Sequence, residues 1–260
     1  MAGRSTNPDD YQDVPRPVAV MAKDIEGDRT TGWHRHKRAQ LVFASSGVIV
    51  VRTREGTWVI PPQRAVWIPG DVEHETRTVG HVAARMIYVA PQAASGLSRK
   101  CSVVYVSPLL RALILRAVEL PLNYDQKGPP GRIMRMILDE IRLSKTLPLH
   151  LPTPNHARLA DICAIIAKNP RCDDTLDELA RRVGMSKRTA ERLFSRETDM
   201  TFSRWRQQAR LLTALTDLAA GRSVKQVAFR SGYSSQSAFT SMFKATFGTT
   251  PRRYFSEPKG

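Results

Sequence analysis

Cysteine is scarce in this chain of 260 residues: Cys101, Cys163 and Cys172 are an odd number at wide spacing, with no CxxC pair. That excludes a disulfide framework and predicts reduced thiols in the cytoplasm. Long apolar runs are lacking as well. No stretch approaches the roughly 18 residues of a membrane span, and the first ten residues have no apolar segment of the kind a secretory leader carries, so the expectation is a cytoplasmic protein with no membrane partner. Negative charge is also in short supply, since 24 Asp+Glu stand against 40 Lys+Arg and leave a formal charge of +16. An excess of that size favours a polyanionic partner, nucleic acid or an anionic surface. It does not locate the footprint, because residues 156–260 carry 19 Lys+Arg against 10 Asp+Glu and the surplus is shared between the halves. Catalytic signatures are missing too: Ser45 and Ser46 have no placed base, and there is no phosphate-binding glycine loop and no HExxH helix. These absences argue against an enzyme.

What is present divides into two domains, as the length allows. Residues 1–15 are polar and proline-punctuated, which predicts a frayed tail. Short β-branched and aromatic runs follow at 18–21, 40–44, 48–53, 57–60, 65–68, 75–79 and 84–89, and seven strands at that spacing predict an all-β barrel or sandwich. Ser107-Pro108 opens a helix with apolar positions Leu110, Leu113, Ile114 and Ala117, and a second stripe, Ile133, Met136, Ile137 and Ile141, follows the break at Gly128-Pro-Pro-Gly131. Such stripes need a partner surface: the barrel, each other, or a second copy in a homodimer. The helical pair closes a domain over 16–145. Three prolines in 146–155 predict an extended linker, and 156–260 read as an all-α domain.

That last domain contains an imperfect repeat about 48 residues apart. Thr175, Ala180, Gly184, Ser186, Leu193 and Phe194 in the first copy are matched by Ser223, Ala228, Gly232, Ser235, Met242 and Phe243 in the second. In each, a hydroxyl cap starts a short helix, glycine takes the turn, and a second hydroxyl cap opens the next helix, which is the logic of a helix-turn-helix. The second helix of such a unit enters the major groove. Its exposed positions are predicted to be Lys187, Arg188, Glu191 and Arg192 in the first unit, and Gln236, Ser237, Thr240 and Ser241 in the second. Arginine grips guanine bidentately and glutamate accepts from a cytosine amine, whereas Ser and Thr discriminate poorly. The first unit is therefore expected to supply most of the base discrimination. A long amphipathic helix from 202 to about 219 joins the units, and Arg204, Arg206, Arg210, Lys225, Lys244, Arg252 and Arg253 are candidate phosphate contacts.

Ala228, Gly232-Tyr233, Phe239, Phe243-Lys244, Phe247-Gly248, Thr250-Pro251 and Tyr254, with Leu179-Ala180, Gly184-Met185-Ser186 and Arg192-Leu193-Phe194 before them, resemble the paired helix-turn-helix signature of the AraC family of bacterial transcription regulators. Phe255 departs from it, standing where the family often has arginine. The resemblance implies binding to double-stranded promoter DNA, activation through contact with RNA polymerase, and control by an effector bound to the other domain.

His34, His36, Gln40 and His74 resemble the two cupin motifs, His-x-His-x3-Glu-x6-Gly and Pro-x-Gly-x2-His, with Gly47 and Pro69 in register. The fold expected of the first domain is thus a cupin-like barrel. Gln40 replaces the usual Glu, and Asp71 replaces Gly. Three readings of the cluster stay open: a divalent transition metal, a metal-free pocket for an organic effector, or a structural role. Trp58, Trp67 and Tyr88 are candidate pocket walls.

Overall fold

The computed structural model describes residues 5–255. It separates into two compact units, one made of residues up to Thr53 with Trp58–Leu149, the other of Arg54–Thr57 with residues from His150 onward.

The first unit is built on strands β1 (Val18–Ile25), β2 (Ala39–Ala44), β3 (Val48–Thr53), β4 (Gly56–Ile60), β5 (Arg64–Ile68), β6 (Glu75–Val79), β7 (Val82–Val89), β8 (Ser102–Tyr105) and β9 (Thr146–Leu147). One sheet has the order β1-β7-β2-β5-β8-β9, and β4, β3 and β6 are neighbours in a second. Strand β8, four residues lying just ahead of the helix that Ser107-Pro108 opens, is not among the runs expected to be strands. Side chains two apart share a face, and the register uses this to divide the first sheet. Leu41 and Phe43 of β2, Trp67 and Ala65 of β5, and Ile87 and Val89 of β7 pack in one apolar cluster with helices α1 (Pro108–Glu119) and α2 (Pro129–Leu143). Gln40, Met86 and Tyr88 belong to the opposite face and line a cavity.

Helix α1 is capped by the Ser107 side chain, and its predicted stripe of Leu110, Leu113, Ile114 and Ala117 is buried. The α2 stripe differs from the expected one: Met134, Ile137, Leu138 and Ile141 are buried, while Met136 is 44% exposed. The break ahead of it is also shorter than expected. Pro129 starts the helix and Gly131 lies inside it, where a Cβ would stand 2.0 Å from the Gln126 carbonyl oxygen.

The expected frayed tail is corrected by the structure for residues 5–15; residues 1–4 lie outside the described residues. Pro8–Tyr11 form a 3-10 turn capped by the Asn7 side chain, and Tyr11 is fully buried, its ring stacked on Tyr88 at 5.7 Å. Arg38, itself buried, fastens the segment by donating to the carbonyls of Gln12, Val14 and Arg16. Polar composition suggests a tail, but one aromatic anchor and one buried guanidinium reverse that.

The second unit is helical: α3 (Ala157–Lys168), α4 (Leu176–Arg182), α5 (Lys187–Thr198), α6 (Phe202–Ala219), α7 (Val224–Arg230), α8 (Gln236–Phe247) and α9 (Pro251–Phe255). Helix α6 packs against α3 and α5 and also against α7 and α9, so one 18-residue rod serves both halves. The first half is cored by Phe194, Phe202 and Trp205, and the second by Phe239, Phe243, Phe247 and Tyr254 in edge and tilted contacts. A fully buried side chain of this size contributes roughly 1.5–3 kcal/mol. Trp205 also donates its indole N–H to the Pro152 carbonyl at 2.9 Å, which ties part of the predicted linker to this unit.

Candidate nucleic-acid interface and barrel cavity

The two helical turns are superimposable in their bonding. Helix α4 begins with a capping box between Thr175 and Glu178, and α7 with one between Ser223 and Gln226. Each ends in a Schellman motif. Met185 N–H donates to Ala180 O at 2.9 Å and Gly184 N–H to Arg181 O at 3.1 Å; Tyr233 N–H donates to Ala228 O at 3.0 Å and Gly232 N–H to Phe229 O at 3.1 Å. Both glycines have positive φ, 68° and 78°. Gly232 has a second reason to be glycine, since a Cβ there would lie 2.9 Å from the Arg210 guanidinium carbon. Ser186 then caps α5 by accepting from Thr189 N–H, and Ser235 caps α8 by accepting from Ala238 N–H.

These caps aim two helices outward. On α5, Lys187, Arg188, Glu191 and Arg192 are exposed while Leu193 and Phe194 are buried. Lys187 and Glu191 face each other loosely at 3.8 Å, and the Arg188 and Arg192 guanidinium groups have no hydrogen bond or ion pair among the described residues. On α8, Gln236, Ser237 and Ser241 are exposed and Thr240 is half-buried. One face is thus charged and the other neutral.

The predicted phosphate contacts divide. Arg204, Lys225, Lys244, Arg252 and Arg253 are exposed. Arg206 is half-buried, donating to the Asp174 carbonyl at 3.0 Å with its guanidinium over the Phe202 ring. Arg210 is a correction. It donates to the carbonyls of Pro170 and Cys172 and pairs with Asp173 at 2.7 Å, leaving 17% of its side chain exposed. It is a clamp that braces the 170–173 loop beside the Gly232 turn. A structural acid that sequence reasoning missed, Asp217, is buried between Arg222 and Arg230 and fixes the start and end of α7.

In the barrel unit a cavity of about 490 Å³ is lined by His34, His36, Gln40 and Tyr88 together with Met21, Ile49, Thr78 and Met86, among others. Backbone bonds assemble the histidines. His34 and His74 exchange N–H···O bonds of 2.9 and 2.8 Å, and Asp71 N–H donates to His36 O at 2.9 Å. Asp71 sits at φ 64°, in the left-handed region, which explains why glycine is usual at that point of the motif and why a short polar residue substitutes there. The three rings offer ligand atoms within 4.8 Å of one another. Burial lowers the basicity of His36 and holds His74 at a pKa of about 4, so both rings are neutral near pH 7. Burial also pushes the Tyr88 phenol above its ordinary range.

Two of the predicted walls are corrected. Trp67 pairs with Leu41, one position away from Gln40, so it faces the helices, where its indole N–H donates to Ser98 O at 2.7 Å. Trp58 is buried but does not line the cavity. Conversely, Pro8 lines it and Tyr11 backs its Tyr88 wall.

Comparison with known proteins agrees with both parts. Residues 18–138 match the AraC-like ligand binding domain and residues 179–257 a helix-turn-helix domain. The HTH-type transcriptional regulator NimR of Escherichia coli is 34% identical over 227 residues, 87% of this chain and 83% of NimR. The HTH-type transcriptional regulator RipA of Corynebacterium glutamicum is 34% identical over 104 residues, 40% of this chain and 31% of RipA. Among solved structures, the DNA-binding domain of AdpA in complex with a target DNA is 30% identical, covering 38% of this chain and 89% of that one at a TM-score of 0.35. No helix among the described residues is long and apolar enough to cross a membrane. The chain carries a DNA-binding domain behind a ligand-binding domain, and it belongs to the AraC family of helix-turn-helix transcription regulators, not to an enzyme family.

Proposed function

We propose that this regulator reads a promoter through α5 and α8 and activates transcription by contacting RNA polymerase, in response to an effector held in the barrel cavity. The observation that carries the reading is the duplicated cap, Schellman turn and cap, which presents two outward helices on the single rod α6. Helices presented this way suit successive major grooves on one face of B-form DNA, about 34 Å apart. Base discrimination falls to Arg188, Arg192, Lys187 and Glu191, with Gln236, Ser237, Thr240 and Ser241 secondary. Arg204, Lys225, Lys244, Arg252 and Arg253 take phosphates, with Arg206 contributing from its exposed edge.

Leu109, Met136 and Leu143 on or beside the helical pair are large and exposed, which supports a homodimer through α1 and α2. The protein works in the cytoplasm, where its three free cysteines stay reduced. A nuclease footprint over the chain's own upstream region, run at two salt concentrations, tests the reading. Paired protections one helical turn apart are the expected result; equal affinity for every genomic fragment and for random duplex overturns it.

A further inference from the structure

The reading above places an effector in the barrel cavity without naming the chemistry that selects it, and the histidine cluster supplies that chemistry. The Nδ1 atoms of His34, His36 and His74 lie 3.0, 2.6 and 2.9 Å from the carbonyl oxygens of Gly32, Arg38 and Val72. A carbonyl only accepts, so each Nδ1 carries its ring's proton and each Nε2 presents a lone pair. Nε2 of His74 is buried and has no hydrogen-bond partner among the described residues. A buried polar atom left so is costly and calls for a partner. The Gln40 amide, which can turn either its oxygen or its NH2 to the ring, stands 3.2 Å from His36 Nε2. Such a gathering of lone pairs is what a cation satisfies. Zn–N bonds near 2.0–2.1 Å set nitrogens roughly 3.4 Å apart, so the rings draw inward slightly on loading, and half-exposed His34 has the room.

Charge then decides what else binds. Three imidazole ligands and one amide supply no negative charge and leave a divalent ion uncompensated. The acids lining the cavity are already committed, Asp24 to Arg85 at 2.9 Å and Glu26 to His81 at 2.8 Å, whereas Lys23 and Arg29 add positive charge. Much of the remaining wall is apolar: Met21, Ile25, Val42, Ile49, Ala84 and Met86. We propose that His34, His36 and His74 hold a divalent transition-metal ion, and that this ion and a small apolar carboxylate bind the cavity as a pair. The carboxylate takes the coordination position the imidazoles leave open and supplies the negative charge that Gln40 does not. The inference rests on the cavity being the effector site.

The test is calorimetry and visible absorption on the full chain with Co²⁺ alone, then with acetate, hexanoate or phenylacetate, and with 2-phenylethanol as the neutral counterpart. One Co²⁺ per chain is expected, with an absorption that phenylacetate or hexanoate shifts and 2-phenylethanol does not. Co²⁺ should raise the affinity for the carboxylate by the factor, about 5–150, by which the carboxylate raises that for Co²⁺. His34→Ala, on the half-exposed rim, should lose Co²⁺ and the pairing together. Gln40→Glu should hold Co²⁺ more tightly while the pairing factor falls toward one. No Co²⁺ binding, binding indifferent to His34→Ala, carboxylates that bind equally with and without Co²⁺, or equal action by 2-phenylethanol would each overturn the proposal. Promoter affinity in the same samples separates the two claims. Pairing with no change in promoter affinity upholds the site and sinks the effector reading; a carboxylate response that survives chelation of the metal does the reverse.

Discussion

The two helix-turn-helix units share a backbone and differ in nearly every side chain that faces outward. Both begin with a capping box, end α4 or α7 in a Schellman turn and open the next helix with serine. Yet α5 shows solvent two arginines that are unpaired among the described residues, while α8 shows glutamine and hydroxyls. The difference teaches that the fold constrains the caps and turns and leaves the outward positions free to differ between the units.

The largest effects should come from breaking that asymmetry. Arg188→Ala and Arg192→Ala should each cost about 1–3 kcal/mol on the cognate promoter site and little on random duplex, whereas Gln236→Ala should cost less than either. Fluorescence anisotropy on the two duplexes measures this, and a second-unit loss as large as the first would abolish the distinction. Next come the turn glycines. Gly184→Ala should cost roughly 1–2 kcal/mol for a left-handed residue bearing a Cβ, and Gly232→Ala more, because Arg210 must also move. Thermal melts of the two variants rank them; equal Tm losses would remove Arg210 as a brace.

The sequence made this domain largely legible, because hydroxyl caps and glycine turns are local signals whose geometry needs no distant partner. Helix α6 was readable from its stripe alone. The errors lie where a side chain's fate depends on residues far along the chain. Arg210 read as a surface cation, but the 170–173 loop captures it. Trp67 read as a cavity wall until register placed it opposite Leu41. The barrel histidines were visible by spacing, and Asp71 marked its own unusual backbone by replacing a glycine. Pro8 and Tyr11 left no comparable trace.

Smaller effects sharpen the comparison further. Arg204→Ala should weaken binding to every sequence and flatten the salt slope by about one, whereas Arg210→Ala should lower Tm and leave the slope unchanged. Titration of the slope against salt separates the two arginines. The smallest effect concerns the capping boxes, one of which ends in a titratable Glu178 and the other in Gln226. The Thr175 backbone N–H and hydroxyl hold the Glu178 carboxyl below its ordinary value of 4.5. A depressed folded pKa gives stability that is present above the unfolded value and fades as pH falls through the folded one. Acidification should therefore loosen the α4 cap and spare α7, a contrast that amide chemical shifts at Thr175 and Ser223 would register and Glu178→Gln would erase.

Tyr11, seated on Tyr88 and secured just downstream by the Arg38 grip, makes the segment 8–16 part of the upholstery of the barrel cavity. Altering that segment by substitution would reshape the cavity while α5 and α8 keep their sequence. The shape of that cavity can thus drift in this protein without any change in the two helix-turn-helix units.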